Sequence, residues 1–272
     1  MTEALDYLLR NKEEDLIPWR IQVEASEKYG LSLCQVEDLA LANKLLPARY
    51  QRNRSMLGVE QQRTLFRSTV AVAGCGGLGG YVLEELARLG VGNIVAIDPD
   101  IFVEHNLNRQ LLSAPDTLGQ SKVDAAAERI ALVNPAVSVT TAQEALGASN
   151  ADKLLKGADV VVDCLDSVDA RLALAQSCRQ LNLPLVHGAI AGWYGHVSTV
   201  FPGEQSLEKI YARETSGKGV EQNLGNPSYT PAVVASLEVA EVCKILLSEG
   251  TVLRDRMLVI DLREMDFEQV AW

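Results

Sequence analysis

The chain has 272 residues, of which 47% are apolar, enough for the core of one large α/β domain or of one domain with an appendage. The 25 basic and 36 acidic side chains give a formal net charge of −11, which argues against general affinity for nucleic acid or for an anionic membrane. The five cysteines are odd in number and lack CxxC spacing, which argues against a disulfide framework and a thiolate zinc site.

The N-terminal residues and the cysteine pattern bear on location. The first residues are acidic and lack the basic start and apolar middle of a secretory signal peptide. No apolar run approaches the roughly 20 residues that a helix needs to cross a bilayer. Scattered cysteines in a chain of this length are typical of a reducing compartment. We therefore expect a cytoplasmic protein with no membrane partner and no nucleic-acid partner.

Residues 1–48 are predicted to form a helical N-terminal extension. Apolar residues recur there at helical spacing, and no strand-like run occurs. Residues 24–47 are typical of a helix, a glycine-containing turn and a second helix, which is compatible with a DNA-reading helix-turn-helix. The stretch carries too few basic side chains for phosphate contacts, so we expect a helical packing arm that Pro47 closes.

Residues 49–272 are predicted to form one nucleotide-binding domain. The predicted strands are 69–73, 93–97, 137–141, 159–162 and 184–187, and the predicted helices between them are 80–89, 119–133 and 171–182. Alternation of helices with almost continuously apolar strands is typical of a Rossmann-like α/β fold, in which helices cover both faces of a mostly parallel sheet.

The pattern changes after residue 188. Residues 195–201 alternate like an antiparallel strand, and residues from about 204 to 230 form a long polar segment, called the crossover loop below. A loop of this length in a compact domain usually serves a function. An apolar helix over 231–247 and a last strand over 257–261 follow, so we expect antiparallel strands at the C-terminal end of the sheet.

A glycine motif marks the first strand of this domain. Gly74, Gly76 and Gly79 form a G-x-G-x-x-G pattern between that strand and a helix. Glycines let the backbone approach a phosphate, and a helix N-terminus offers free N–H groups. Asp98 ends the next strand, where it can accept hydrogen bonds from ribose hydroxyls. The pattern alone is weak evidence, but in this context it predicts nucleotide binding.

Polar residues beyond Asp98 favour a triphosphate over a dinucleotide. Arg109 supplies a planar fork suited to phosphate, and Lys122 stands near the start of a helix. The amides of Asn106, Asn108 and Gln110 could bond phosphates or ribose. Two cations beside a glycine loop neutralise more charge than a pyrophosphate needs, although a solvated polar loop is the alternative interpretation.

Two carboxylates end the predicted strand over 159–162 and face the ligand crevice of such a sheet. Asp166 is our candidate for Mg²⁺, because a carboxylate beside a triphosphate normally holds that ion. Asp163 is expected to cap the following turn instead.

These features together resemble the MoeB/ThiF/HesA family, the bacterial relatives of ubiquitin-activating enzymes. The resemblance runs from Arg49 to about Glu264, and no single part of it is specific alone. Its parts are the segment 49–52, the glycine motif at 74–79, the block 87–110, the element 119–122, the Asn134-Pro135 stop, the segment 163–166 and the segment 187–203.

The resemblance implies an adenylyltransferase that uses ATP and Mg²⁺. Its substrate would be the C-terminal glycine carboxylate of a ubiquitin-like sulfur-carrier protein, of the molybdopterin or thiamine type, ending in Gly-Gly and entering near the crossover loop. Pyrophosphate would be released. The implied catalytic residues are Arg52, Arg109, Lys122 and Asp166, with Arg52 reaching into the partner's site of a homodimer. The implied nucleotide-binding residues are Gly74, Gly76, Gly77, Leu78, Gly79, Asp98, Asp100, Asn106, Asn108, Arg109, Gln110, Lys122, Leu165 and Asp166.

Three departures from the family pattern matter. Many members hold a structural zinc with two CxxC pairs, which this chain lacks, so no zinc is expected. Residues 204–230 contain no cysteine, so we expect adenylation without a thioester intermediate. Ser167 stands where the family usually has asparagine, which leaves one nucleotide contact in doubt. His187 and His196 are expected to pack or hydrogen-bond in the crevice wall rather than act as ligands.

Other functions remain open at this stage. The enzyme could adenylate a different carboxylate on a small molecule, a peptide or tRNA, a reading that Ser167 slightly favours and the acidic charge disfavours. An NAD-dependent oxidoreductase would also use the glycine motif. A non-catalytic scaffold for a ubiquitin-like protein is a further alternative, against which the four implied catalytic residues argue.

Overall fold

The computed structural model describes residues 2–212 and 224–272. In chain order its elements are α1 (Thr2–Arg10), β1 (Leu16–Ile17), α2 (Trp19–Tyr29), α3 (Leu33–Ala42), β2 (Leu46–Pro47), α4 (Val59–Arg67), β3 (Thr69–Ala73), α5 (Gly77–Leu89), β4 (Asn93–Ile97), α6 (Lys122–Val133), β5 (Ser138–Ala142), α7 (Ala151–Leu154), β6 (Val160–Asp163), α8 (Val168–Leu181), β7 (Leu185–Ala191), β8 (Tyr194–Val200), α9 (Ser206–Ile210), α10 (Tyr229–Leu247), β9 (Arg256–Asp261) and β10 (Asp266–Ala271). None of the helices in the described ranges is long and apolar enough to span a membrane.

An eight-stranded sheet organises the chain, in the order β10-β9-β8-β7-β6-β3-β4-β5. The five strands from β7 to β5 pair in parallel, and β8, β9 and β10 add in antiparallel fashion. The predicted Rossmann-like α/β fold with antiparallel C-terminal strands is therefore confirmed. Parallel order places the carboxyl ends of five strands along one edge, where ligands of such sheets bind.

Both faces of the parallel strands are buried, which explains their continuous apolar runs. Val70, Val72 and Val162 pack in one core cluster with apolar residues of α5, α6 and α10. Ala71 and Val161 point the opposite way and pack with residues of α7 and α8. Each strand thus presents apolar side chains to two helical layers. Packing against both layers holds the carboxyl ends of the strands in place.

Several predicted boundaries were wrong, and local backbone geometry explains them. The predicted helix 80–89 begins at Gly77, since Gly76 is already its N-cap. The predicted helix 119–133 begins at Lys122, because Gly119 has a φ of +85° and ends the preceding turn. The predicted helix 171–182 begins at Val168, where the Ser167 hydroxyl accepts a hydrogen bond from the N–H of Ala170.

Strand predictions fared better at the centre of the sheet than at its rim. The strands over 69–73 and 93–97 are confirmed, whereas the strand predicted to end at 187 continues to Ala191. Strand β10 was not predicted, because all six of its residues are exposed and no buried face marks it. The predicted crossover loop contains helix α9, and its residues 213–223 lie outside the described part of the chain.

Helices α1 to α3 form their own apolar cluster around Leu8, Ile21 and Val36. Their region also holds the two-residue parallel pair β1 and β2, so the expectation of no strand there was wrong. A buried polar network joins this arm to the rest. Glu37, completely buried, accepts hydrogen bonds from Arg49 and from the Tyr50 hydroxyl.

Candidate functional site

A cavity of about 410 Å³ opens at the carboxyl ends of the parallel strands, within the usual range for small-molecule sites. Most of the residues predicted to bind nucleotide line it. These are Gly74, Gly76, Gly77, Leu78, Asp98, Asp100, Arg109, Gln110, Lys122, Leu165 and Asp166. The sheet edge therefore brings together side chains from the ends of β3, β4 and β6.

The glycine motif is required by packing as well as by ligand access. Gly74 has a φ of +95°, and a Cβ there would lie 2.6 Å from the carbonyl oxygen of Cys164. A Cβ on Gly79 would lie 1.8 Å from the Gly74 carbonyl oxygen. Gly79 is therefore needed for the tight turn and does not form part of the cavity wall. The motif holds the backbone N–H groups at the start of α5 toward the cavity, which suits an anion.

Asp98 braces this turn from the end of β4. Its carboxylate accepts a 2.7 Å hydrogen bond from the N–H of Cys75 and a 2.8 Å bond from the N–H of Asp100. Burial raises the pKa of Asp98, and the nearby Lys122 opposes that effect. Because Asp98 also lines the cavity, its free lone pairs remain available to a ligand hydroxyl.

Lys122 is held by two carboxylates in this arrangement. Its Nζ lies 2.8 Å from Asp100 Oδ2 and 3.7 Å from Asp98 Oδ1. The lysine is only 7% exposed, whereas the Asp100 side chain is 65% exposed. Asp100 is therefore the partner that an incoming phosphate can replace at lowest cost.

Arg109 and Gln110 reach the glycine turn from the opposite side. Arg109 Nη1 donates to the carbonyl of His105 at 3.1 Å and to Asn108 Oδ1 at 2.8 Å. Burial lowers the pKa of Arg109, while Asp166 opposes that effect. A Cβ on Gly76 would lie 3.4 Å from Gln110 Nε2, so the two residues are in contact. Gln110 Oε1 is buried and has no hydrogen-bond partner among the described residues.

Besides Gly79, three predicted site residues lie outside the cavity lining. Asn106 is buried and accepts a hydrogen bond from the N–H of Val103, which closes a short helical turn. Asn108 donates to the carbonyl of Asn226 at 3.0 Å and accepts from Arg109, so both ends of its amide hold protein groups. Arg52 is exposed and follows the helical turn at Ala48–Tyr50.

The two carboxylates at the end of β6 lie in different surroundings. Asp163 is fully buried, accepts a hydrogen bond from the N–H of Leu165 and pairs with His187 Nδ1 at 2.8 Å, which confirms its structural role. Asp166 lines the cavity. In the described part of the chain no three His, Cys, Asp or Glu side chains cluster to hold a metal. A lone carboxylate fits Mg²⁺, which usually takes one or two carboxylates plus substrate phosphates.

Arg171 fixes the turn that carries Asp166. Its Nη2 donates to the carbonyl of Leu165 at 2.8 Å, and its Nη1 donates to the Tyr211 hydroxyl at 2.8 Å. Ser167 caps the following helix, a role that asparagine fills equally well, so nothing in the structure explains its departure from the family pattern.

A buried hydrogen-bonded group lies behind this turn. His187 Nε2 is 3.0 Å from the Tyr211 hydroxyl and 3.1 Å from His196 Nε2. Burial lowers the pKa of His187 and lowers that of His196 to about 3, so both imidazoles are neutral at pH 7. The predicted hydrogen-bonding role of the two histidines is thus confirmed.

Sequence reasoning missed several cavity residues. The missed residues are Ala73, Ile97, Pro99, Glu144, Ala145, Leu146, Cys164, Ala170, Arg171, Ile190 and Asn226. The segment 144–146 follows β5, and its place at the carboxyl end of a parallel strand is a signal that could have found it. Asn226 lies in the predicted crossover loop, but no pattern distinguished it from the other polar residues there.

Glu238 on α10 is a buried acid next to the site. It is completely buried, and neither carboxylate oxygen has a hydrogen-bond partner among the described residues. A Cβ on Gly188 would lie 2.4 Å from its Cδ. Burial, reinforced by Asp163, raises the pKa of Glu238 well above its ordinary value.

We expect Glu238→Gln to stabilise the protein at neutral pH. The folded state keeps a proton on Glu238 that the unfolded chain releases above pH ~4.5. Wild-type stability is therefore lost as the pH rises from that value toward the raised pKa of the folded state. The variant's advantage should grow by up to about 1.4 kcal/mol per pH unit until the folded pKa is reached. Denaturant unfolding from pH 5 to 8 measures it, and parallel curves for the two proteins would contradict a neutral Glu238.

Comparisons with known proteins agree with the geometry. The model of the ThiF family matches residues 50–272. The SAMP-activating enzyme E1 of Haloferax volcanii is 35% identical over 228 residues, covering 82% of this chain and 84% of that protein. The adenylyltransferase and sulfurtransferase MOCS3 of Drosophila virilis is 30% identical over 276 residues, covering 98% of this chain but only 61% of that protein.

A crystal structure of E. coli MccB with MccA-N7isoASN has a TM-score of 0.69, covering 82% of this chain and 72% of that chain. Its sequence identity is 22%, so it supports the fold alone. The family match covers most of the chain, and the archaeal relative aligns over most of both proteins. The resemblance seen in the motifs is therefore confirmed, and the chain belongs to the ThiF family of adenylyltransferases and activating enzymes.

Proposed function

We propose that the chain uses ATP and Mg²⁺ to adenylate the C-terminal glycine carboxylate of a ubiquitin-like sulfur-carrier protein, with release of pyrophosphate. The observation that carries the proposal is the convergence of the α5 N-terminus, Arg109, Lys122 and Asp166 on one cavity. The names of the archaeal and insect relatives, an activating enzyme and an adenylyltransferase with sulfurtransferase, support this class of partner.

The strand order suggests how a nucleotide lies in the cavity. Residues 144–146 follow β5 at one end, and Asp98 follows the neighbouring β4. A base beside residues 144–146 and a ribose beside Asp98 would leave the phosphates beside Gly76 and the start of α5. Arg109 and Lys122 would then neutralise the triphosphate from two sides.

The reaction needs charge neutralisation rather than a side-chain nucleophile. The substrate carboxylate attacks the α-phosphorus, the bond to the β,γ-pyrophosphate breaks, and the product is a mixed anhydride whose leaving group is AMP. Two anions approach each other in this step, so Arg109 and Lys122 lower its barrier by stabilising the charge. Mg²⁺ held by Asp166 would stabilise phosphate charge as a Lewis acid.

We propose that no thioester intermediate forms. Cys75 lies in the glycine turn and Cys164 lines the cavity, and burial raises the pKa of both thiols well above the usual value. The thiolate is the reactive form of cysteine, so these two thiols are poor nucleophiles at neutral pH.

The direct test is ATP–pyrophosphate exchange. Purified ubiquitin-like proteins ending in Gly-Gly, of the molybdopterin and thiamine types, would each be added to the enzyme with ATP and Mg²⁺. We expect exchange with one of them and none with the same protein lacking its last glycine. Exchange with tRNA or a free amino acid instead of any carrier would overturn the choice of substrate.

We propose, as the family resemblance implies, a homodimer in which the exposed Arg52 serves the partner's cavity. We expect Arg52→Ala and Asp166→Ala to be nearly inactive alone. When equal amounts are mixed under conditions of subunit exchange, half of the dimers become mixed, and each has one intact site. Exchange activity should therefore recover to about a quarter of wild type by the symmetry of a two-fold dimer. No recovery, although mixed dimers form, would contradict a shared site.

A further inference from the structure

Leu165, the residue directly before Asp166, is held on both sides of its backbone. Its N–H donates to Asp163 Oδ1 at 3.1 Å. Its carbonyl accepts from the guanidinium of Arg171, from Nε at 3.2 Å and from Nη2 at 2.8 Å. Asp163 is fully buried and Arg171 is only 6% exposed, so water competes little for these contacts. The peptide groups that lead into Asp166 are therefore oriented by two buried charged side chains.

A histidine and a tyrosine connect these two charged side chains behind the turn. Asp163 Oδ2 accepts a 2.8 Å hydrogen bond from His187 Nδ1, so the other ring nitrogen, Nε2, is left as the acceptor for the Tyr211 hydroxyl at 3.0 Å. The same hydroxyl accepts from Arg171 Nη1 at 2.8 Å. The four side chains and the backbone of Leu165 thus close a hydrogen-bonded ring, which we call the buried ring.

Tyr211 joins the buried ring from a distant part of the chain. It follows helix α9, is 6% exposed and packs with Leu207 in the apolar cluster that α7 and α8 line. Arg179 of α8 donates to the carbonyl of Glu204 at 3.1 Å, which ties the segment before α9 to the same layer. Tertiary packing therefore brings the Tyr211 hydroxyl to its place between the guanidinium and the imidazole.

We propose that Tyr211 is a positioning residue that orients Asp166 for Mg²⁺, acting through its hydrogen bond with Arg171. This inference rests on the proposed function, to which the metal role of Asp166 belongs. Tyr211 is absent from the cavity lining formed by the described residues, whereas Arg171 belongs to it. Without the hydroxyl, the guanidinium loses a contact that fixes its plane, and the Leu165 carbonyl is held less rigidly. Groups behind a metal ligand tune metal affinity in this way, because they limit the orientations of the ligand.

The first test measures metal affinity without turnover. Mn²⁺, detected by its paramagnetism, replaces Mg²⁺ and is titrated into the protein bound to α,β-methylene ATP, an analogue that cannot be split at the reacting bond. Tyr211→Phe keeps the aromatic ring and removes only the hydroxyl. We expect it to weaken Mn²⁺ binding by about 3–10-fold, the value of one hydrogen bond. In an Asp166→Ala background the same substitution should have no further effect, because the two residues act in series.

The second test examines the buried ring in the nucleotide-free protein. The amide hydrogen of Leu165 is protected by its bond to Asp163, and its exchange with solvent reports how often this turn opens. We expect Tyr211→Phe to speed that exchange by about 3–10-fold, by the same loss of one hydrogen bond. Unchanged exchange would show that the turn does not depend on Tyr211 and would overturn the inference.

Tyr50→Phe is the matched control. Tyr50 is also buried, its hydroxyl donates to Glu37 and accepts from Asn134, and it too is absent from the lining that the described residues form. This variant should lose stability yet keep the wild-type Mn²⁺ affinity and the wild-type exchange of Leu165.

The outcomes separate this inference from the function on which it rests. Equal Mn²⁺ affinity in wild type and Tyr211→Phe, or an effect of Tyr211→Phe that persists without Asp166, would overturn the role of Tyr211 and leave the proposed function intact. Equal Mn²⁺ affinity in wild type and Asp166→Ala would instead refute the proposed magnesium site, and this inference with it.

Discussion

Asp166→Ala is expected to slow ATP–pyrophosphate exchange by roughly 10²–10³-fold, the loss typical when one charge-stabilising contact is removed from an active site. The carboxylate lines the cavity, and in the proposed reaction it holds the Mg²⁺ that accompanies the phosphates. Asp163 cannot replace it, because both of its oxygens hold His187 and the N–H of Leu165. The loss should shrink as the Mg²⁺ concentration is raised.

A matched control is available three positions along the chain. Asp169 is an exposed acid in the first turn of α8 and is absent from the cavity lining formed by the described residues. Asp169→Ala should keep the wild-type rate and the same melting temperature. An Asp166→Ala enzyme that exchanges pyrophosphate at the wild-type rate would refute the magnesium assignment, whereas equal losses in both variants would point to a general effect of charge.

The nucleotide half of the site was predictable because its residues form short, local patterns. The glycine motif and Asp98 each directly follow a strand that both faces of the sheet bury, so periodicity locates them. Arg109 and Lys122 could be assigned by charge type, although the partners that each of them contacts in the structure could not. The Lys122–Asp100 contact depends on how the turn before α6 folds back, which Gly119 with its positive φ determines.

The other half depends on long-range contacts that leave no pattern in the sequence. Asn226 reaches the cavity because Gly225 pairs with Gly192 and Asn108 holds its carbonyl, and these partners are far away along the chain. The phosphate contact expected of Asn108 stays a prediction, and in the structure its side chain donates to the carbonyl of Asn226. Exposed strand β10 was missed for a related reason, since without a buried face its residues show no apolar alternation.

The arm formed by α1 to α3 is joined to the nucleotide-binding part of the chain by a buried ion pair. Arg49 donates to Glu37, to Gln22 Oε1 at 2.8 Å and to Asn134 Oδ1 at 2.9 Å. The Asn134 amide donates in turn to the carbonyl of Ala87, near the end of α5. Helix α5 begins at the glycine motif, so this network supports the far end of the helix whose N-terminus faces the cavity.

Arg49→Met is therefore expected to lower the free energy of unfolding by about 3–5 kcal/mol, because it leaves a buried carboxylate without its cation. The Glu37 side chain is fully buried, and burial already raises its pKa against the opposing effect of Arg49. Removing Arg49 raises that pKa further, so the deficit should grow as pH rises above about 4.3, where the unfolded chain releases the proton. Denaturant unfolding at pH 5 and pH 8 measures both effects.

Two companion variants decide whether burial is the cause. Arg67 pairs with Asp38 on the surface, with side chains 56% and 42% exposed, and Arg67→Met should change stability by less than about 1 kcal/mol. Adding Glu37→Gln to Arg49→Met should recover much of the lost stability, because the uncompensated charge disappears. If the double variant were no more stable than Arg49→Met, the loss would come from the contacts of the Arg49 guanidinium with the rings of Trp19 and Tyr50 rather than from the uncompensated charge.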